Sequence, residues 1–124
     1  VMDIMRGGEA VPAVGPGASF SELMREMTRK GLGASAVVDE GGRALGIFTD
    51  GDLRRLVETG RDLRALTAQE VMHASPRQIR DDALAAEAAK MMEQHRVTVL
   101  LVQDQAGQLV GAINSNDLMR AKVI

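Results

Sequence analysis

Thr49 and Asp52 stand three residues apart where an apolar run, Ala44 to Phe48, gives way to a polar turn and then a helical pattern. A hydroxyl at a helix start, beside the unpaired N–H groups of the first turn, can hold a phosphate. A carboxylate at the third position can accept from ribose hydroxyls, and one such charge-assisted bond contributes roughly 1.5–3 kcal/mol. Together the pair would bind a phosphorylated sugar or a nucleotide. The same spacing equally makes a capping pair that closes a helix end and binds nothing.

The corner comes twice. Gly46-Ile47-Phe48-Thr49-Asp50-Gly51-Asp52-Leu53-Arg54-Arg55 returns 65 positions later as Gly111-Ala112-Ile113-Asn114-Ser115-Asn116-Asp117-Leu118-Met119-Arg120. A chain that repeats a unit of about 60 residues folds as similar halves packed together. Asp50-Gly51-Asp52 after a strand is also similar to the nucleophile loop of phosphatases, which would make the chain an enzyme. The second copy, Asn114-Ser115-Asn116-Asp117, drops the first carboxylate while keeping the frame, and no downstream Lys and acidic pair completes such a centre. No residue is therefore assigned a catalytic role. At the second corner, ribose acceptance by Asp117 and plain capping by Asn114 both stand open.

Charge-balancing groups for an anion are available in Lys30, Arg54, Arg55, His95 and Arg96. Arg55 and Arg96 are preferred among them, because a planar guanidinium holds phosphate or carboxylate with two bonds. Gly33, Ala34 and Ser35 stand where a strand begins, and Val97, Thr98 and Val99 take the matching place in the second half. Residues as small as Gly33 and Ala34 let a flat ring approach the backbone. They serve just as well as a helix C-cap and a strand start.

The elements that must position these residues read as β-α-β-β-α, twice. Val1 to Met5 is an apolar turn of helix, and Ala10 to Val14 is extended. Ser19 opens a helix with Glu22 at capping-box spacing and Phe20, Leu23, Met24 and Met27 on one face. Ala34 to Val38 and Ala44 to Phe48 are strands joined by a hairpin at Glu40-Gly41-Gly42. A helix runs from Gly51 to about Thr59, and Gly60 to Leu66 links the halves. The second half reads as a short helix from Ala68 to Met72 and an extended segment from Pro76 to Ile79. The longest helix follows, opened by Asp81 and Asp82 and ending near Arg96. Its periodicity comes from Leu84, Ala88, Met91, Met92 and His95. Strands then cover Val97 to Val102 and Leu109 to Ile113, and Ser115 or Asn116 caps a last helix. Before the long helix the repeat offset becomes 67, pairing Met5 with Met72.

Composition narrows the partners. The 124 residues contain no Cys, so disulfides and thiolate metal sites are excluded, and two His are too few for a His-rich metal centre. Phe20 and Phe48 are the only aromatic residues, and the net charge is -2. Base stacking and a basic footprint are both missing, which argues against nucleic acid. No apolar run approaches the roughly 20 residues that cross a bilayer, and no signal peptide is visible. The chain begins in mid-pattern at Val1, as an excised part of a longer protein would.

This pattern resembles a pair of cystathionine-β-synthase (CBS) motifs, a Bateman module, over essentially the whole chain. Gly46, Ile47, Thr49 and Asp52 match the family signature fully. The second copy keeps Gly111, Ala112 and Asp117 but has Asn114 where Thr or Ser is usual, which puts a second phosphate site in question. The resemblance implies an α/β fold of two β-α-β-β-α motifs, residues 1–62 and 63–124, paired about a pseudo-twofold with ligand clefts between them. It also implies that Gly33, Ala34, Ser35 and Thr98 line a base pocket, and that Thr49, Asp50, Asp52, Arg55, Arg96, Asn114 and Asp117 complete the ligand contacts.

The Thr49-to-Arg55 run is further similar to the C-terminal CBS pair of bacterial arabinose 5-phosphate isomerases. So are Val71-Met72, Pro76, Ile79, Asp82, Leu84-Ala85, Glu87-Ala88 and the ending Asp117 to Ala121. That resemblance implies a regulatory module, itself not an enzyme, that works with an N-terminal sugar-isomerase domain in a cytoplasmic homodimer or higher oligomer. The expected ligand is CMP-Kdo or an adenine nucleotide, with no obligatory cofactor and no metal. A ligand-free oligomerisation module of the same enzyme is the alternative.

Overall fold

In the computed structural model, which describes residues 1–124, the longer strands follow apolar runs that hold β-branched residues. In chain order the elements are β1 (Arg6–Gly7), β2 (Ala13–Val14), α1 (Phe20–Lys30), β3 (Ala34–Val38), β4 (Ala44–Thr49), α2 (Asp50–Glu58), α3 (Ala68–Val71), β5 (His73–Ala74), β6 (Gln78–Arg80), α4 (Ala85–His95), β7 (Val99–Gln103), β8 (Leu109–Asn114) and α5 (Ser115–Arg120). Single 3-10 turns lie at Gly8–Ala10 and Leu63–Ala65. The architecture is mixed α/β with two four-stranded sheets, ordered β2-β3-β4-β5 and β1-β8-β7-β6.

Each sheet belongs to one compact unit, Pro12–Pro76 for the first and Val1–Val11 with Arg77–Ile124 for the second. In the first unit β2 runs parallel to β3, which α1 makes possible by crossing over between them, and β3 and β4 form a hairpin. Leu23, Met27, Val37, Phe48 and Ala68 fill its core. The Phe20 and Phe48 rings meet edge to face at 6.1 Å. In the second unit β6 runs parallel to β7, β7 and β8 form the hairpin, and Ile79, Ala88, Met92, Leu100, Val102, Ile113 and Leu118 fill the core. Equivalent registers recur: Ala34 faces Thr49 and Val99 faces Asn114, and each hairpin shifts register at one matched place, Val37/Val38 and Val102/Gln103.

The fourth strand of each sheet comes from the other repeat. β1 pairs antiparallel with β8, Arg6 opposite Ala112, and β5 pairs antiparallel with β4, Ile47 opposite His73. Met5 and Met72, the residues just before these edge strands, pack over Gly111 and Gly46. A Cβ built on Gly46 would lie 2.5 Å from Met72 Sδ and 2.6 Å from the His73 carbonyl oxygen, so only glycine fits there. Gly111 is crowded in the same way by Met5 Sδ and the Arg6 carbonyl. The glycine that opens each copy of the motif is thus the seat of an exchanged strand.

Several sequence expectations are corrected. The helix expected from Asp81 begins at Ala85 and has 11 residues, the same length as α1. Asp81 and Asp82 do not open it, because the Asp81 N–H bonds the Gln103 carbonyl and Asp82 pairs with Arg80 at 2.9 Å. Leu84, assigned to its apolar stripe, is the N-cap and is 67% exposed. The last helix is capped by Asn114, not by Ser115 or Asn116. The strand expected from Val97 starts at Val99, and the extended stretch from Ala10 pairs only at Ala13–Val14. The link over residues 60–66 is not open chain: Leu66 is buried, its carbonyl accepts from the Phe20 N–H, and Thr67 bridges to Ser19.

Candidate functional site

At the first corner, β4 delivers Thr49 in extended geometry and α2 starts on the next residue. The Thr49 hydroxyl accepts from the Asp52 N–H at 3.2 Å, and Asp52 Oδ2 accepts from the Thr49 N–H at 2.9 Å. This reciprocal capping box fixes both side chains against the first turn. Asp52 is 8% exposed. Its other oxygen, Oδ1, takes Arg55 Nη2 at 2.6 Å, and His73 Nε2 of β5 lies 3.0 Å away. Arg55 therefore curls back to the helix start. A Cβ built on Gly51 would meet both of its terminal nitrogens at 3.6 Å and the Thr49 hydroxyl at 3.7 Å. A hydroxyl and a guanidinium thus flank the N-terminal turn of α2, the arrangement that suits a phosphate.

Gly33 closes the corner from the other side. Its carbonyl accepts from the Asp50 N–H at 3.0 Å, and its φ of 83° lies in the left-handed region. A Cβ there would come within 3.2 Å of Asp50 Oδ2, so glycine leaves room for that carboxylate. Ala34 and Ser35 follow, buried in β3, with the Ser35 hydroxyl donating to the Ala36 carbonyl at 3.0 Å. The first unit thus brings together Gly33, Ala34, Ser35, Thr49, Asp50, Asp52 and Arg55 from the sequence reading.

Electrostatics hold the Asp52 carboxylate ionised. Burial acts to raise its pKa, but the Thr49 N–H, the Arg55 side chain, the Thr49 hydroxyl and the nearby His73 together outweigh burial and set it below 3.8.

The second corner repeats the frame with different chemistry. Asn114 Oδ1 accepts from the Asp117 N–H at 2.9 Å, and Asp117 Oδ2 accepts from the Asn114 N–H at 3.0 Å. Asp117 is 6% exposed and is gripped by two arginines. Arg120 Nη2 donates to Oδ1 at 2.5 Å, while Arg6 of β1 reaches Oδ2 at 3.4 Å and Oδ1 at 3.5 Å. Thr98 takes the place of Gly33, its carbonyl accepting from the Ser115 N–H at 2.9 Å. Arg96 lies in the same unit as the C-cap of α4, with φ 53° and ψ 45°. Of the other basic candidates, Lys30 pairs with Glu26 at 3.4 Å on its own helix, and His95 is the exposed last residue of α4.

Sequence reasoning passed over Arg6, His73 and Arg120, which all touch the two carboxylates. The signals were present. Arg120 is Arg55 displaced by 65 positions, and the Met5–Met72 equivalence makes Arg6 and His73 the next matched pair. No group of three or more His, Asp or Glu side chains gathers where a metal ion could sit.

A family model described as CBS domain matches residues 1–59 and 68–124. Over 124 residues the chain is 47% identical to the arabinose 5-phosphate isomerase KdsD of Pseudomonas aeruginosa and 40% identical to that of Yersinia pestis. All of this chain is covered, and it spans 38% of the length of each relative. Among solved structures it superposes on CBSX2 in complex with AMP with a TM-score of 0.82 at 22% identity, covering 98% of this chain and 94% of that one. The cytosolic domain of the Mg2+ channel MgtE in complex with ATP matches at 0.75 and 28% identity, covering 94% of this chain and 46% of that one.

Proposed function

The chain belongs to the CBS-domain family as a tandem pair, and on that premise we propose that it is a regulatory receptor for a nucleotide or nucleotide sugar. It would serve an arabinose 5-phosphate isomerase of Kdo and lipopolysaccharide synthesis. No sugar-isomerase domain is among these 124 residues, so the reading includes such a domain elsewhere as its partner. It also includes a homodimer or higher oligomer in the cytoplasm. No helix here is long and apolar enough to cross a membrane.

One observation carries the reading. The Thr49 hydroxyl and the Arg55 guanidinium converge on the first turn of α2, with the Asp52 carboxylate beside them. The phosphate of a nucleotide belongs on the hydroxyl, amide and guanidinium side, and a ribose hydroxyl belongs on the carboxylate. At the second corner Asn114 supplies no hydroxyl and α5 has only 6 residues, so Asn114, Asp117, Thr98 and Arg96 are assigned secondary contacts. Gly33, Ala34, Ser35 and Asp50 are assigned the base side of the first corner.

Two ligand classes divide the support. CMP-Kdo, the activated end product, fits the 47% identity to KdsD, and its phosphate and sugar carboxylate both suit Arg55 and the helix start. An adenine nucleotide fits the AMP and ATP bound by CBSX2 and MgtE. Calorimetric titration with CMP-Kdo, CMP, AMP and ATP separates them. Heat with CMP-Kdo supports end-product sensing, and heat with an adenine nucleotide alone moves the assignment to that class. Silence from all four at millimolar concentration ends the receptor reading. A ligand-free assembly module is the second reading, and the two closed capping boxes favour it, because they give Thr49 and Asp52 a sufficient structural task. In that case Thr49→Ala with Asp52→Ala leaves the isomerase and its response to metabolites unchanged.

A further inference from the structure

An apolar groove of about 530 Å³ lies between α4 and α5 in the second unit. The buried side chains of Met92 and Leu118 line it, together with Val123 and Ile124. Ile124 is 62% exposed. Contiguous apolar surface left open in this way marks a place where another surface docks.

α4 is both a wall of the groove and a ridge beside it. Ala86, Ala89, Lys90 and Glu93 stand at i, i+3, i+4 and i+7, so they share one helix face, and all four line the groove. The two alanines let a second helix come close. Lys90 and Glu93 are exposed, and neither has an ion-pair partner in its own chain. A helix laid antiparallel on this face must bring an acid to Lys90 and a base to Glu93. α4 itself supplies both. About a twofold axis residue i meets j and j meets i, so Lys90 of each copy meets Glu93 of the other.

α1, the matching helix of the first repeat, lacks this property. The residues 65 positions earlier are Ser21, Met24, Arg25 and Thr28, which include a base and no acid. α1 on α1 would set Arg25 against Thr28. α1 on α4 would answer Glu93 with Arg25 but leave Lys90 facing Thr28. Only α4 on α4 answers every charge.

Deepening the homodimer of the reading above, and independently of its ligand, we propose that the groove receives α4 of a second copy of this chain, the two helices crossing on a twofold axis between Lys90 and Glu93. Each α4 ridge then enters the groove of the other copy. Apolar contact across Ala86, Ala89 and Leu118 holds the pair together. The two Lys90–Glu93 pairs fix its register and select this face over α1.

Sedimentation equilibrium of the purified 124-residue chain tests the interface. The native chain should be a dimer. Lys90→Glu and Glu93→Lys each set like charges together at two symmetric points, and each should raise the dimer dissociation constant by about tenfold or more. Circular dichroism of both variants should stay native, because both residues are exposed. An equimolar mixture of the two variants restores opposite charges at both points. It should form a dimer with one chain of each kind, and a chain with both charges reversed should dimerise with itself. A dimer weakened by Glu93→Lys but not by Lys90→Glu would hand the partner face to α1 and overturn the proposal. A native dimer indifferent to both variants, or a mixture that stays dissociated, would overturn it too. In these cases the homodimer stands and its interface lies elsewhere. A native chain that is monomeric at millimolar concentration would remove the homodimer and this interface together, leaving the receptor to the nucleotide titration.

Discussion

Replacing Gly46 by alanine tests why a glycine opens each copy of the motif. The new methyl would sit 2.5 Å from Met72 Sδ and 2.6 Å from the His73 carbonyl oxygen. Both distances are about 1 Å inside ordinary carbon contacts, which lie near 3.5–4.0 Å. The thioether is the adaptable partner. The carbonyl is not, because it belongs to β5, and moving it away strips pairing from a strand with only two registered residues. Overpacking of this kind costs about 1–3 kcal/mol. With a urea m-value of about 1–3 kcal/mol/M, the midpoint should fall by about 1 M. Gly15→Ala is the control, since nothing lies within 4 Å of a Cβ there. Met72→Ala added to Gly46→Ala separates the two obstacles. The backbone clash remains, so the double variant should recover little of the loss. A Gly46→Ala protein within about 0.5 kcal/mol of the native one, or a full rescue by Met72→Ala, would refute the argument that the exchanged strand dictates this glycine.

Other outcomes follow from single residues. The Asp52 carboxyl is held below its ordinary range, so its contribution is complete above about pH 4 and is lost as acid protonates the folded form. In Asp52→Asn the acid limb of a stability profile should flatten, and a limb of unchanged steepness argues against the pairing. Arg96 adopts the left-handed region where its counterpart Gly31 has φ 67°. A non-glycine residue there costs roughly 1–2 kcal/mol, partly offset by the unfolded-chain entropy of glycine, so Arg96→Gly should stabilise by about 0.5–1 kcal/mol in thermal melts. Asn114→Ala should cost about 1 kcal/mol by removing the acceptor for the Asp117 N–H, while Asn114→Thr, which restores a capping oxygen, should recover most of it.

Local signals in the sequence carried the hairpins and the corners. Ala34 to Val38 was legible to the residue, because a β-branched centre lies between a glycine and a turn. The reciprocal use of Thr49 and Asp52 followed from spacing alone. The exchanged strands were not legible, because two residues have no periodicity and their pairing with β4 and β8 depends on distant chain. The start of α4 was misplaced because Asp81 and Asp82 look like caps but are drawn off, one by a β7 carbonyl and one by Arg80. At the site, residue types that could contact a phosphate were readable. The grip of Arg6 and His73 on the carboxylates was not, since each is a lone basic residue beside a glycine or an alanine, and only the three-dimensional edge brings it to its partner.

The most direct measurement of the central claim is the amide spectrum of the chain as nucleotides are added. If the first corner is the receptor, the resonances of Gly51, Asp52 and Gly33 to Ser35 should shift first and saturably, and those of Ser115 to Asp117 should move less. Shifts confined to other segments, or a spectrum that no nucleotide or nucleotide sugar perturbs, would contradict it.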